Sequence, residues 1–351
     1  MGTRKTEVQK KTMNKTAVIG AGSWGTALAQ LLAEKDGNVW LWGHRPEHID
    51  RIQREGENSR YLPGFPLSKN LNLEKDLEKA VRDADYVVMV IPSHGFRQIF
   101  CRLLPFLKSG ARLVSAVKGI EIGTRQTMTE LMIEEAGGRA GDFSFGVLSG
   151  PSFAKEVAGH QPTAVTVAFA DIEDARAVQY LFATDYFRAY TSTDVIGLEI
   201  SGAMKNVIAI AAGISDGLGF GLNTRAALIT RGLAEITRMG VAMGALPLTF
   251  SGLGGMGDLV LTCTGSLSRN RTVGLKLGKG KKLATVLSEM TMVAEGVKTT
   301  KSCYNLAASL GVEMPILEQT YQVLYEDKDC MQAVRELFGR DLKEELDQTL
   351  S

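Results

Sequence analysis

Six short apolar runs mark the first half of the chain, at 16–20, 39–42, 86–91, 112–117, 144–148 and 164–169. They are rich in Val and Ile and lack a polar alternation, the pattern of strands buried on both faces. Stretches of helical spacing lie between them, at 26–34, 73–83 and 124–135. Alternating strands and helices of this kind predict an α/β domain with a mostly parallel sheet covered on both sides. After about Thr193 the pattern changes. Strand-like runs cease, and long helical stretches follow at 195–214, 223–239, 272–279, 294–310, 314–326 and 330–337. An all-α C-terminal domain is expected there. The reading divides the chain into a flexible extension over 1–14, a sheet domain over 15–195 and a helical domain over 196–351.

With 351 residues, the chain has room for about two ordinary domains. A net charge of +1 gives no long-range field for nucleic acid or an anionic membrane. Any anionic ligand must therefore be held by local groups. Cys101, Cys263, Cys303 and Cys330 are far apart and form no CxxC pair, so neither a metal site nor a disulfide framework is expected, and a reducing, cytoplasmic compartment is. The polar, basic N-terminus lacks the apolar core of a signal peptide. No unbroken run of about 18 apolar residues occurs, so no membrane insertion is expected.

Gly20-Ala21-Gly22-Ser23-Trp24-Gly25 is a GxGxxG. That spacing is weak alone, but here it follows the run Ala17-Val18-Ile19 and opens a helical stretch. Gly20 permits the turn, Gly22 lets backbone approach a pyrophosphate, and Gly25 lets helix and strand close up. The helix start offers free N–H groups to the phosphates. This is the signature of a Rossmann domain binding a dinucleotide. The next strand ends in Gly43-His44-Arg45, where NAD-specific sites often carry a carboxylate. Nothing there repels a 2′-phosphate and Arg45 can pair with one, so NADP(H) is expected to be accepted alongside NAD(H). Ser93, after the run ending at Ile91, stands where a loop borders the ligand crevice.

Other segments suit a small anionic substrate. Lys118 follows a strand and points toward the crevice. Gly150 and Ser152 follow another; Ser152 is either a site hydroxyl or the N-cap of a short helix. Lys205-Asn206 interrupts an apolar helix, so Lys205 is either at the surface or paired and functional. A buried lysine beside a ketone can donate a proton to the developing alkoxide, and burial lowers its pKa toward a useful range. Asp258 ends a glycine-rich loop that reads as flexible, and either caps a helix or orients a lysine or a substrate hydroxyl. Ser268-Arg269-Asn270-Arg271 precedes a predicted helix start near Thr272 and forms a phosphate-sized anion site or an ordinary cap. Glu295 opens a later helix near a cofactor amide or ribose.

Taken in order, the motifs from Gly20–Gly25 through Val117-Lys118-Gly119, Ser149-Gly150-Pro151-Ser152, Lys205-Asn206, Gly254–Asp258 and Ser268–Arg271 resemble the bacterial NAD(P)-dependent glycerol-3-phosphate dehydrogenase family, over about Lys15 to Gly339. The resemblance implies reversible reduction of dihydroxyacetone phosphate to sn-glycerol 3-phosphate for glycerophospholipid synthesis, by a homodimer. It implies that Lys205 is the proton donor and acceptor and that Lys118 contacts substrate and nicotinamide. Gly150, Ser152, Lys205, Asp258, Ser268, Arg269 and Asn270 would bind substrate. Ser23, Trp24, His44, Arg45, Lys118, Ala154, Arg269, Val293 and Glu295 would contact the cofactor. Two rivals remain in view: a related β-hydroxyacid dehydrogenase, which also carries a Lys-Asn pair but has no need of Ser268-Arg269-Asn270, and a non-catalytic dinucleotide redox sensor, which has little use for Lys118, Lys205 and Asp258 together.

Overall fold

A computed structural model describes residues 14–290, 294–342 and 344–345. The N-terminal part holds eight strands: β1 (Thr16–Ile19), β2 (Val39–Trp42), β3 (Leu71–Glu74), β4 (Tyr86–Met89), β5 (Arg112–Ser115), β6 (Ser144–Ser149), β7 (Thr163–Phe169) and β8 (Phe187–Ser192). They form one sheet in the order β3-β2-β1-β4-β5-β6-β7-β8, parallel throughout except where β6 meets β7. Its connecting helices are α1 (Ser23–Asp36), α2 (Pro46–Glu55), α3 (Leu77–Val81), α4 (Phe96–Leu103), α5 (Met128–Ala136), α6 (Ala154–Ala158) and α7 (Ile172–Phe182). Two apolar clusters fill the two faces. One gathers Val18, Leu28, Leu32, Val88 and Val167, and the other Ile19, Val87, Met89, Phe96 and Phe100. Chain order reverses between β1 and β4, so the crevice that such sheets offer to ligands opens beside the Gly20 turn.

Two sequence expectations change here. The stretch 73–83, read as one helix, is the end of β3 followed by α3, with Asp76 accepting from the N–H groups of Glu78 and Lys79 as the cap. β8 was not expected at all. Both strands lie at the edges of the sheet.

The C-terminal part is helical: α8 (Val195–Gly217), α9 (Leu222–Ala242), α10 (Asp258–Thr264), α11 (Arg269–Gly278), α12 (Leu283–Ser288), α13 (Glu295–Leu310), α14 (Pro315–Tyr325) and α15 (Cys330–Phe338). Buried α8 is its axis. Asp194 caps it through the Gly197 N–H at 2.9 Å, and the same carboxylate accepts from Leu246 N at 2.9 Å and Thr249 Oγ1 at 2.6 Å. Among the described residues α8 is long and apolar enough, at mean hydropathy 1.5, to cross a membrane; 83% of that window is buried inside the protein. The sequence reading passed over it because Glu199, Lys205 and Asn206 break the run. Gly213 and Gly217 of α8 face Gly274 and Gly278 of α11, four residues apart on each helix and so on one face. A Cβ at Gly213 would lie 2.1 Å from the Arg271 carbonyl oxygen, and one at Gly274 2.0 Å from that of Ile210. This backbone-to-backbone approach brings the start of α11 beside the middle of α8.

Candidate functional site

The glycine-rich turn leaves β1 at its carboxyl end. Gly20 has φ +128, and a Cβ there would lie 2.4 Å from the Val90 carbonyl oxygen. A Cβ on Gly25 would lie 1.8 Å from Gly20 O. Larger residues are therefore excluded from both positions. Gly22 differs, since a Cβ there would meet nothing within 4 Å. It is the N-cap of α1, without a side-chain cap, so the space beside the start of the helix is open where a side chain would otherwise lie. Trp24 carries a buried indole Nε1 with no partner among the described residues. These features fit a dinucleotide: an uncapped helix start, a backbone free of side chains, and a donor awaiting an acceptor. Ser23 Oγ donates to the Tyr61 carbonyl and ties the turn to the loop after α2. His44 and Arg45 are exposed just past β2, with the His44 ring edge-on to Trp42. Ala154 begins α6, which packs on α1. Val293 lies outside the described residues.

A second group gathers at the same edge of the sheet, since β1, β4, β5 and β6 run parallel and release their loops together. Lys118, just past β5, donates from Nζ to Asp258 Oδ2 at 2.7 Å and to the Gly150 carbonyl at 3.2 Å. Lys205, on α8, pairs with the other oxygen of Asp258 and donates to Thr262 Oγ1 at 2.9 Å. Asp258 is 1% exposed and Lys205 5%. Burial pushes the Lys205 pKa below the ordinary 10.5 and Lys118 adds to this, while Asp258 opposes both. Burial alone would raise the Asp258 carboxyl; Lys118 and Lys205 together outweigh it and hold the pKa below 3.8. One carboxylate thus serves two ammonium groups. Asp258 is the first residue of α10, and its side chain turns to the lysines instead of capping the helix. The preceding loop is packed rather than loose, since a Cβ on Gly255 would lie 2.1 Å from the Phe250 carbonyl oxygen. Ser152 donates to Gly150 O at 2.9 Å; the N-cap of α6 is Phe153, so the capping alternative for Ser152 does not hold.

α11 starts at Arg269, three residues earlier than expected, with Ser268 as its N-cap accepting from Arg271 N at 3.2 Å. That bond leaves the Ser268 O–H free to donate. Arg269, the first residue of the helix, is exposed as a residue, yet desolvation of its guanidinium draws its pKa below the ordinary 12.5 against the pull of Glu295. Asn270 braces the site: it donates to Asn206 Oδ1 at 2.8 Å and accepts from Gly296 N at 3.0 Å. Asn206 in turn donates to the Lys118 carbonyl at 3.3 Å. Arg271 turns away to an ion pair with Asp216. Glu295, in the first turn of α13, accepts from Ser93 Oγ at 3.0 Å, so the loop after β4 and α13 meet directly.

The structure therefore brings Lys118, Gly150, Lys205 and Asp258 together, and links Lys118 through Asn206 and Asn270 to the start of α11. Sequence reasoning missed Thr262, whose hydroxyl donates to the Asp258 carbonyl at 2.6 Å while accepting from Lys205. The only signal for it was its position four residues after Asp258, one helical turn on.

Comparison with known proteins agrees over most of the chain. A family model described as the NAD-dependent glycerol-3-phosphate dehydrogenase N-terminus matches residues 15–175, and one described as the C-terminus of the same family matches 194–335. The chain is 62% identical over 331 residues to a Desulfotalea psychrophila protein named glycerol-3-phosphate dehydrogenase [NAD(P)+], covering 94% of this chain and 98% of that one. It is similar to the crystal structure of glycerol-3-phosphate dehydrogenase from Coxiella burnetii, with TM-score 0.89 and 40% identity, over 93% of this chain and 99% of that one. The enzyme of the same name from Saccharomyces cerevisiae matches with TM-score 0.79 and 30% identity, over 92% and 98%. With both halves matched and the sheet edge arranged as above, the chain belongs to the NAD-dependent glycerol-3-phosphate dehydrogenase family.

Proposed function

We propose that the chain interconverts dihydroxyacetone phosphate and sn-glycerol 3-phosphate with NADP(H) or NAD(H), and that Lys205 moves the proton. The observation that carries this reading is buried Asp258, paired with buried Lys205 and partly buried Lys118, at the sheet edge that also holds the Gly20–Gly25 turn. The nicotinamide supplies or takes up the hydride when bound. Residues 15–195 hold the dinucleotide and residues 196–351 hold the substrate. In reduction, the Lys205 ammonium donates its proton to the oxygen on which negative charge develops; in oxidation, the neutral amine takes it back. Lys118 faces the same oxygen and stabilises its charge. Asp258 orients both amines, and Gly150 and Ser152 line the approach. Arg269, the Ser268 hydroxyl and the free N–H groups at the start of α11 hold the phosphate. Asn270 fixes the relation of α8, α11 and α13. Ser23, Trp24, His44, Arg45, Ala154, Val293 and Glu295 complete the cofactor side, with Arg45 at the adenosine end.

The chain is expected to act as a homodimer in glycerophospholipid synthesis. A reducing, cytoplasmic compartment is supported by four unpaired cysteines, two of them buried. The apolar window of α8 is taken up by internal packing, so no membrane insertion is proposed. The test is consumption of NADPH and of NADH with dihydroxyacetone phosphate, run against a panel of β-keto acids. Turnover confined to the phosphorylated ketone is expected. Turnover confined to the keto acids would transfer the chain to the rival dehydrogenase class, and none with any of them would favour a redox sensor.

A further inference from the structure

The open face of Gly22 poses a question of orientation. A peptide carbonyl and the following N–H belong to one planar trans unit and point in opposite directions. The Gly22 N–H therefore faces the open side only if the Ala21 carbonyl is turned inward and held there. Two buried side chains hold it. Asn58, fully buried, donates from Nδ2 to Ala21 O at 3.1 Å and to Thr26 Oγ1 at 2.8 Å, while its Oδ1 accepts from Tyr61 N at 3.3 Å. His48, from α2, places Nε2 3.1 Å from the same carbonyl. Its Nδ1 lies 3.2 Å from Arg51 Nη2. Because a guanidinium can only donate, Nδ1 is the acceptor and the ring proton sits on Nε2, aimed at Ala21 O. Burial, Arg51, Arg60 and Arg45 all disfavour a second proton on this ring, against the Ala21 carbonyl.

We propose that Asn58 and His48 are positioning residues for the dinucleotide pyrophosphate: by both donating to the Ala21 carbonyl they turn the Gly22 N–H outward to the phosphates. Neither touches the ligand. Their effect is independent of the 2′-phosphate, since the pyrophosphate is common to NADPH and NADH. This sets them apart from Arg45, whose exposed guanidinium lies at the adenosine end.

This inference rests on the dinucleotide reading, and binding of NADPH by the unaltered protein tests that reading separately. The experiment measures Kd for NADPH and for NADH by fluorescence titration, with kcat and the ketone KM beside them. It uses Asn58→Ala, His48→Ala and His48→Gln, whose amide N–H can replace Nε2–H. Each alanine variant is expected to weaken both cofactors by the same factor, about tenfold for one lost hydrogen bond. The change in kcat and in the ketone KM should stay within about twofold, and His48→Gln should recover most of the loss. Should Asn58→Ala fail to fold, the His48 pair carries the test. Unchanged cofactor affinity in folded His48→Ala would overturn the proposal. So would a loss confined to NADPH, which would place these residues at the 2′-phosphate, or a loss that glutamine does not restore.

Discussion

The turn after β1 and the cluster around Asp258 lie at one edge of one sheet, yet they prepare for charge in opposite ways. The turn meets anionic phosphates with backbone N–H groups and neutral braces. It needs no buried ion; Gly20 to Gly25 are consecutive, and only the braces His48 and Asn58 come from 27 and 37 residues beyond Ala21. The cluster buries Asp258 and Lys205 and partly buries Lys118, with 140 residues of sequence between Lys118 and Asp258. Buried charges are costly unless paired and fully hydrogen-bonded, and here each oxygen of Asp258 has its own ammonium. On the proposed reading the contrast is a division of labour: the dinucleotide pyrophosphate is met by fixed backbone dipoles, whereas a proton that must come and go is held by groups whose charge can change.

The largest effect expected from breaking this contrast is at Lys205. Lys205→Ala should cut turnover by several orders of magnitude in both directions while the Kd for NADPH moves within about twofold, because the two regions share no side chain. Turnover within tenfold of the unaltered enzyme would remove Lys205 from proton transfer.

Asp258→Asn comes next. Buried Lys205 and partly buried Lys118 would then face each other without a counter-charge, and breaking a buried pair costs up to about 3–5 kcal/mol of stability. A lower thermal midpoint and a turnover lower by roughly 10²-fold or more are expected. Asp258 raises the Lys205 pKa, so its loss should move the alkaline limb of ketone reduction to lower pH. A shift to higher pH would contradict the assigned pairing.

A smaller effect is expected at Arg269. Its replacement by alanine should raise the KM for dihydroxyacetone phosphate by about 10–10²-fold, the worth of a charge-assisted contact. An unchanged KM would move the anion anchor elsewhere. The smallest effect is at Arg45, where alanine should reduce the preference for NADPH over NADH by about tenfold and leave the NADH constants alone. Equal losses for both cofactors would contradict its place at the 2′-phosphate.

What the sequence disclosed follows from burial. Every interior strand, β1, β2 and β4 to β7, reads as a continuous apolar run because both of its faces are covered. β3 and β8 are the two edges of the sheet. Phe187–Ser192 alternates buried and exposed residues, and Leu71–Glu74 is buried only at Leu71. Neither offers the run that marked the others. The glycine turn is legible because its chemistry is local backbone. The pairing of Lys118 with Asp258 is not local, and no spacing announces it; the individual lysines drew notice only as charges in apolar surroundings or at strand ends. Asn58 and His48 gave no signal at all, because a buried amide that supports a carbonyl looks like any loop residue until the fold brings Ala21 to it. Thr262 offered little more, a hydroxyl whose one clue was its place a helical turn after Asp258.

The pH dependence of kcat in the two directions, measured for the unaltered enzyme and for Lys205→Ala, tests the central claim most directly. Reduction needs the ammonium form of Lys205 and oxidation the free amine. Reduction should therefore fall, and oxidation rise, each through a midpoint below the ordinary lysine value of 10.5, and both transitions should vanish in the variant. If the same titration persists in Lys205→Ala, or if both directions respond to pH with the same sign, the proton is carried by another group.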